Sequence, residues 1–166
     1  MSAEQVTVRP IALADIAAWR DCVGEVMSER RWLAFVEPFP LPQSAAFVAA
    51  NIASGNPHVV ADDGSSIVGW CDIRRDTVPS YAHDAMMGMG LRAANRRHGL
   101  GERLLCSALD LARAVGIERV SLSVYAKNTA AQALYRKVGF VHEGTRVRGR
   151  KLDDEYDDVH IMAILF

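Results

Sequence analysis

The segment RRHGLG, residues 96–101, lies between two apolar segments and decides how the fold is interpreted. Before it, residues 85–91 form a continuous apolar run, which predicts a strand. After it, apolar residues recur at helical spacings across residues 100–115, and Gly116 marks the predicted helix end. A strand that passes through a glycine-bearing turn into a helix exposes the N–H groups of the first helical turn, and the helix dipole also favours an anion there. The segment therefore predicts a turn that binds a pyrophosphate group.

Two other phosphate-binding motifs fit the sequence less well. The phosphate loop of nucleoside triphosphatases requires GxxxxGK[ST], and the chain contains no Gly-Lys-Ser or Gly-Lys-Thr. The sequence GMGLRA, residues 88–93, matches the GxGxxA form of the dinucleotide fingerprint, but its glycines fall inside the predicted strand. No acidic residue ends a strand about 20 positions later, because Asp110 belongs to the predicted helix. These observations disfavour both a nucleoside triphosphatase and a nicotinamide-dependent enzyme.

Hydrophobic patterning predicts a mixed sheet flanked by helices, an α/β or α+β fold formed by residues 1–166 as a single domain. Strands are predicted at residues 6–9, 58–61, 67–73, 85–91, 118–125, 140–146 and 156–166. Helices are predicted from the cap Asp15 onward and at residues 43–54, 100–115 and 128–139. The last strand is apolar on both faces, so we expect it inside the sheet.

Composition restricts the class of protein further. The chain has 166 residues, 50% of them hydrophobic, and a formal net charge of -1, which is typical of a globular domain and calls for neither a nucleic acid nor a membrane. Its three cysteines have no CxxC spacing, and reduced thiols are expected. Residues 1–5 show no signal-peptide pattern, and no stretch approaches about 20 apolar residues. We therefore expect a cytoplasmic protein.

Two motifs resemble those of one family. Arg96-x-x-Gly99-x-Gly101 resembles the pyrophosphate motif of the GNAT superfamily of N-acetyltransferases. The stretch from Val124 through Asn128, Tyr135 and Gly139-Phe140 is similar to its second cofactor segment. The likeness covers nearly the whole chain and fades toward the N-terminus. Arg97-His98 departs from it, since many members have a third glycine or a small residue there. The resemblance implies a GNAT-like sheet and an acetyl-CoA-dependent N-acetyltransferase.

The resemblance also implies a cofactor site. Backbone N–H groups of the turn would hold the pyrophosphate, with side-chain donors beside them, and the preceding strand would pair with the pantetheine arm. Asn128 is either a helix N-cap alone or also a cofactor ligand. Tyr135 is either a packed helix residue or the general acid that protonates the departing thiolate. The implied cofactor residues are Met89, Leu91, Arg96, Arg97, His98, Gly99, Leu100, Gly101, Glu102, Asn128 and Tyr135.

The sequence defines the acceptor site less closely than the cofactor site. The candidate general bases are Asp72, His83, Asp84, Asp158 and an ordered water. The candidate substrate-binding residues are Trp32, Phe35, Phe39 and Asp72, whereas Trp19 is expected in the core. Cys71 and Cys106 are interpreted as ordinary buried thiols rather than nucleophiles, so direct attack on the thioester is expected. The histidines lack metal-ligand spacing, and no metal is expected.

The C-terminal run from Glu143-Gly144-Thr145 to Met162 resembles the branch that acetylates free amino acids and related small amines, including phosphinothricin-type enzymes. A primary amine of a small molecule is therefore the expected acceptor. Acetylation of a ribosomal-protein N-terminus is the enzymatic alternative, and an acyl-CoA-binding sensor without catalysis is an alternative of another class. The resemblance makes a homodimer plausible as well.

Overall fold

The computed structural model describes residues 6–166. Residues 1–5, whose composition predicts no signal peptide, lie outside the described residues. The described helices are α1 (Ile16–Ser28), α2 (Leu41–Ala53), α3 (Leu100–Ala114) and α4 (Thr129–Val138). The described strands are β1 (Thr7–Pro10), β2 (His58–Asp62), β3 (Ile67–Arg75), β4 (Asp84–Leu91), β5 (Arg119–Tyr125), β6 (Val141–Leu152) and β7 (Glu155–Leu165). In this part of the chain, no helix is long and apolar enough to cross a bilayer.

The strands of residues 6–166 form one seven-stranded sheet in the order β1-β2-β3-β4-β5-β7-β6. The pairing of β4 with β5 is parallel, while β1 with β2, β2 with β3, β5 with β7 and β6 with β7 are antiparallel. The predicted mixed sheet with helices is therefore confirmed. The chain divides into two compact units, of which the first extends to Arg74 and includes Gly88–Gly116, and the second comprises Arg75–Met87 and Ile117–Phe166. That residues 1–166 form one domain stays a prediction.

The core of the first unit forms where α1 and α2 bury apolar side chains beside β2 and β3. Trp19 of α1 stacks on Phe47 of α2 with ring centroids 5.5 Å apart, and Trp19 is buried as expected. Helix α2 buries Ser44, Val48 and Asn51, whereas Ile52 is 42% exposed. Because α2 is apolar on most sides, periodicity did not distinguish its inner face.

Asp15 does not cap α1 as the sequence predicts. It is the last residue of a short 3-10 helix, Leu13–Asp15, and its side chain makes no cap hydrogen bond to α1. Its carboxylate instead accepts a hydrogen bond from the Ala12 N–H at 2.8 Å and pairs with Arg9 at 2.7 Å. Arg9, hydrogen-bonded to it, lowers the pKa of Asp15. The carboxylate therefore links β1 to the segment that precedes α1 and fixes the direction in which the chain enters that helix.

In the second unit, β7 lies between β5 and β6, and consecutive residues Met162, Ala163 and Ile164 are buried. The expectation that the last strand lies inside the sheet is thus confirmed. Strand β6 is longer than predicted, because a register shift between Arg146 and Arg150 interrupts its alternation without ending the strand.

Candidate functional site

The turn between β4 and α3 has the geometry of an anion site. Gly99 is the N-cap of α3 with φ 77°, and a Cβ placed there would meet no atom within 4 Å. The Arg103 N–H donates to the Gly99 carbonyl at 3.2 Å, which is the first turn of the helix closing. In a regular helix, the hydrogen bonds between successive turns do not use the N–H groups of Leu100 and Gly101. The turn thus combines helix-terminal N–H donors, a helix dipole and open space beside a glycine.

Arg96 holds this turn in place. Its Nε and Nη2 atoms donate to the Leu91 carbonyl at 3.0 and 2.8 Å, and its Nη1 donates at 2.9 Å to Glu29, the C-cap of α1. The guanidinium therefore connects the turn to β4 and α1, a role that the sequence did not indicate. Arg97 and His98, by contrast, have exposed side chains.

Arg92 is a second anchor of the turn, and sequence reasoning missed it. Its N–H donates to the Val68 carbonyl at 2.9 Å, its Nε donates to the Ile67 carbonyl at 3.1 Å, and its guanidinium pairs with Glu25. Arg92 and Arg96 are four residues apart, as are their partners Glu25 in α1 and Glu29 at its C-cap. This matched spacing of opposite charges was the feature of the sequence from which the two contacts could have been predicted.

One edge of the β4 backbone is directed away from β3. Hydrogen bonds from the Arg92 N–H to the Val68 carbonyl and from the Asp76 N–H to the Asp84 carbonyl fix the antiparallel register of the two strands. Alternate residues of a strand bond to the same neighbour, so Met89 and Leu91 direct their N–H and C=O groups to the other side. The Leu91 carbonyl accepts the Arg96 guanidinium there, which agrees with this assignment.

The glycines of β4 make room for large side chains of β3. A Cβ at Gly88 would lie 3.3 Å from Asp72 Oδ1, and one at Gly90 would lie 2.7 Å from Trp70 Cζ3. These contacts explain the GxGxxA pattern by packing within the sheet. The two glycines are therefore no evidence for a dinucleotide-binding motif.

Asp72 is buried opposite this glycine strand. The residue is 5% exposed, and the Arg74 Nε atom lies 3.4 Å from its Oδ2. Burial raises the pKa of Asp72 to about 6, while the nearby positive charge of Arg74 opposes the shift. A carboxyl group with this pKa changes protonation state close to neutral pH, which suits proton transfer.

Of the other candidate bases, Asp84 and Asp158 have structural roles. Asp84 forms an ion pair with Arg119 at 3.2 Å, and Arg119 also binds Glu143. Asp158 accepts the Arg148 N–H at 2.7 Å. His83 has an exposed side chain. Among the side chains proposed as the base, Asp72 combines burial with a position against β4.

The three candidate acceptor aromatics lie in the segment that joins α1 to α2. Phe35 is 62% exposed, and its ring meets the half-buried ring of Phe39 at a centroid distance of 4.8 Å. The Phe39 carbonyl accepts a hydrogen bond from Arg20 of α1 at 3.0 Å. Trp32 is half-buried, with the Arg31 guanidinium 4.3 Å from its ring. The segment thus presents an aromatic pair, of which Phe39 also packs against the core.

In the second unit, α4 holds the remaining candidates. Asn128 is its N-cap, and the Asn128 Oδ1 accepts the Ala131 N–H at 3.2 Å, which confirms the capping role. Tyr135 is 8% exposed, with its ring 5.8 Å from that of Phe140. Buried Gln132 was missed by sequence reasoning. Its Nε2 donates to the carbonyls of Tyr125 and Ala126 at 3.1 and 2.9 Å, so it fixes the turn from β5 into α4.

Comparison with known proteins defines the class. The sequence profile of the acetyltransferase (GNAT) family matches residues 25–140, more than half of the chain. The protein is therefore an acyltransferase, and the chain belongs to the acetyltransferase (GNAT) family. It is an N-acetyltransferase, and acetyl-CoA is its acetyl donor.

Individual relatives differ in what they acetylate. The chain is 38% identical over 146 residues to the N-alpha-acetyltransferase RimI of Mycobacterium tuberculosis, covering 87% of this chain and 84% of that protein. It is 26% identical over 110 residues to the L-amino acid N-acetyltransferase AaaT of Escherichia coli, covering 66% and 68%. A phosphinothricin acetyltransferase from Sinorhizobium meliloti, solved in complex with AcCoA, matches with TM-score 0.91 at 19% identity, covering 98% of this chain and 89% of that one. At that identity the likeness shows the fold alone.

Proposed function

We propose that this protein transfers the acetyl group of acetyl-CoA to a primary amine of a small molecule, an amino acid or a related amine, by direct attack. The observation that carries the proposal is the arrangement of the first unit, in which a strand edge not bonded to β3 leads into the Gly99 turn and buried Asp72 lies against the same strand. Backbone donors for an acyl-CoA on β4 and a titratable carboxyl group on the neighbouring β3 thus lie together in the first unit.

The residues of the first unit fit the cofactor. Acetyl-CoA supplies the acetyl group as a thioester. The open space at Gly99 and the first-turn N–H groups of α3 suit a pyrophosphate, and the outward N–H and C=O groups of β4 suit an amide-containing arm. In this proposal the cofactor is held by Met89, Leu91, Arg96, Arg97, His98, Gly99, Leu100, Gly101 and Glu102, with Arg96 acting through the turn. The N–H groups of Met89 and Leu91 are also of the type that stabilises a developing oxyanion.

The proposal gives two residues of α4 a part in the reaction. Because the Asn128 Oδ1 is used in capping, its amide Nδ2 is the group that we assign to the cofactor. Tyr135 is assigned as the general acid for the departing thiolate, since a phenol is a suitable donor when held within hydrogen-bonding reach.

Direct attack agrees with the state of the buried cysteines. Cys22 and Cys71 are fully buried. Burial raises the pKa of the Cys22 thiol to about 11, and it raises the pKa of the Cys71 thiol as well. A thiol is a weak nucleophile until it loses its proton, so neither is suited to carry an acetyl group. Cys106, which the sequence predicts to be buried, is exposed instead. The three cysteines form no disulfide among the described residues, which fits the proposed cytoplasmic location.

Asp72 is our proposed general base, and this predicts a pH profile. A base acts only when it is deprotonated, so kcat/KM should fall as the pH drops below about 6. Asp72→Asn should remove this limb of the profile and lower kcat/KM by about tenfold, because water takes over part of the proton transfer.

The matched control for that experiment is Asp84→Asn, which alters another candidate base and should leave the profile unchanged. Thermal unfolding of both variants checks that they are folded. An unchanged acid limb in Asp72→Asn would assign the base to water or to another group.

Phe35 is proposed to line the acceptor pocket, because an aromatic ring exposed beside a second ring offers apolar contact to a ligand. Phe35→Ala should raise the KM of the acceptor about tenfold and leave that of acetyl-CoA unchanged. Leu13→Ala is the control, since Leu13 is 59% exposed and lies outside the α1–α2 segment. Equal changes for both substrates would remove Phe35 from the pocket.

A protein N-terminus is the second candidate acceptor, favoured by the 38% identity to the N-alpha-acetyltransferase. Thiol release from acetyl-CoA should be measured with the standard L-amino acids, polyamines and short peptides with free N-termini. We expect the greatest kcat/KM with an amino acid. A peptide preferred over every amino acid would replace our proposal by the second candidate. Tight acetyl-CoA binding without turnover would indicate a sensor.

A homodimer is also proposed, and light scattering tests it.

A further inference from the structure

Two acidic residues at the end of α1 are joined to the chain that leads from β4 to the Gly99 turn. Glu25 lies in the last turn of α1, and Glu29 is its C-cap. The Glu25 carboxylate pairs with the Arg92 guanidinium, and both Nη atoms of Arg96 donate to the two carboxylate oxygens of Glu29. Bidentate pairs of this kind fix geometry as well as charge. All of these residues belong to the first unit.

The two arginines enclose a short 3-10 helix, Ala93–Asn95, of which Arg92 is the N-cap and Arg96 the C-cap. The backbone N–H and the Nε of Arg92 donate to carbonyls of β3. The Arg96 guanidinium donates instead to the Leu91 carbonyl at the end of β4. The two ion pairs therefore connect the beginning and the end of this segment to α1.

The backbone that follows Arg96 is held in an uncommon conformation. Arg97 has φ 64°, which is rare for a residue other than glycine. Such a conformation costs free energy and persists where the surrounding structure imposes it. Gly99, two residues later, has φ 77°, which glycine adopts readily. The direction in which the chain enters the Gly99 turn therefore depends on the contacts that hold Arg96.

The ion pair of Arg96 is better suited to positioning than to supplying charge. Glu29 largely balances the positive charge of Arg96 and also brings a negative charge close to a turn that is proposed to bind an anion. The side chains of Arg96 and Glu29 are only 30% and 26% exposed, so most of the pair is shielded from water. A partly buried, bidentate pair holds its geometry better than a fully exposed one.

We infer that Glu29 is a positioning residue of the cofactor site, which acts through Arg96 to hold the Gly99 turn in the conformation that binds the pyrophosphate of acetyl-CoA. Glu29 takes no part in acetyl transfer. The inference rests on the proposed binding of the pyrophosphate at this turn and adds a residue from the end of α1 to it. Its consequence has an unusual sign. Removing a negative charge near an anion site would strengthen binding by electrostatics alone, whereas loss of the positioning contact weakens it.

The test uses Glu29→Gln, which nearly keeps the size of the side chain and removes its charge. Calorimetric titration of the full chain measures the Kd of acetyl-CoA. This Kd should rise about three- to tenfold, while kcat with both substrates saturating should change less than about twofold. Arg96→Gln should raise the Kd at least as much. Adding Glu29→Gln to Arg96→Gln should cause no further loss, because the two residues act as one unit.

Asp21→Asn is the matched control. Asp21 lies on α1 four residues before Glu25, on the same side of the helix, but it pairs with its neighbour Arg20 at 3.2 Å. Its replacement should leave the Kd of acetyl-CoA unchanged. Thermal unfolding establishes that each variant is folded.

A Kd that is unchanged or lower in folded Glu29→Gln would overturn the inference, and so would losses that add up in the double variant with Arg96→Gln. Gly99→Asp separates this failure from that of the proposed site. Weaker binding in Gly99→Asp together with unchanged binding in Glu29→Gln refutes the positioning role alone. Wild-type affinity in folded Gly99→Asp refutes the pyrophosphate site, and the inference with it.

Discussion

Gly99→Asp is expected to weaken acetyl-CoA binding by roughly 100-fold, about 2.7 kcal/mol, with little loss of fold. The new carboxylate would project into the open space beside the first turn of α3, where the pyrophosphate is proposed to bind. Two negative groups would then compete for the same N–H donors and the same helix dipole. Calorimetric titration of acetyl-CoA into wild type and mutant measures the effect.

Gly99→Asn is the matched control for that substitution. Asparagine has nearly the same size as aspartate and tolerates a positive φ equally well, but it carries no charge. We expect Gly99→Asn to weaken binding less than Gly99→Asp, so that the difference between the two reports the charge. Both variants should lose only about 1 kcal/mol of stability from the backbone conformation. A folded Gly99→Asp protein with wild-type affinity would remove the phosphate site from this turn.

Tyr135→Phe should lower the rate of acetyl transfer by roughly 10²- to 10⁴-fold if the hydroxyl group protonates the thiolate. The lower end of this range is expected, because a thiolate is a good leaving group near neutral pH. The substitution keeps the ring beside Phe140 and nearly all of its packing. The Kd of acetyl-CoA and the thermal stability should therefore barely change.

Single-turnover experiments are required for this variant, since product release can limit kcat and hide the chemical step. Rates should be compared with a saturating amine over a range of pH. A mutant that keeps the wild-type rate and pH profile would show that Tyr135 only packs against its neighbours, and its assignment as the general acid would be withdrawn.

The sequence predicted the backbone of the turn between β4 and α3 because local chemistry determines it. Gly99 adopts the positive φ that glycine permits, and Gly116 and Gly139 do so at the ends of α3 and α4. The hairpin between β2 and β3 follows the same logic, since the Asp63 carboxylate accepts the N–H groups of Ser65 and Ser66. Such contacts lie within a few residues and are readable from spacing.

The contacts that the sequence did not reveal join residues far apart along the chain. Arg96 resembles a phosphate ligand in its motif, but its guanidinium binds Glu29, 67 residues away. The bulge of β6 likewise depends on Asp158 from the neighbouring strand. The inner face of α2 was set by packing against α1 and β2, where Asn51 lies beside His58. Pattern and propensity carry no information on such partners.

The central claim, direct transfer from acetyl-CoA to an amine, is tested most directly by combining intact-protein mass spectrometry with initial-rate kinetics. After incubation with acetyl-CoA alone, we predict an unmodified protein mass and no release of CoA. With an amine present, one N-acetylated product should form per CoA released, and reciprocal plots for the two substrates should intersect. A protein that gains one acetyl group from acetyl-CoA alone and passes it on to the amine, with parallel reciprocal plots, would contradict direct transfer.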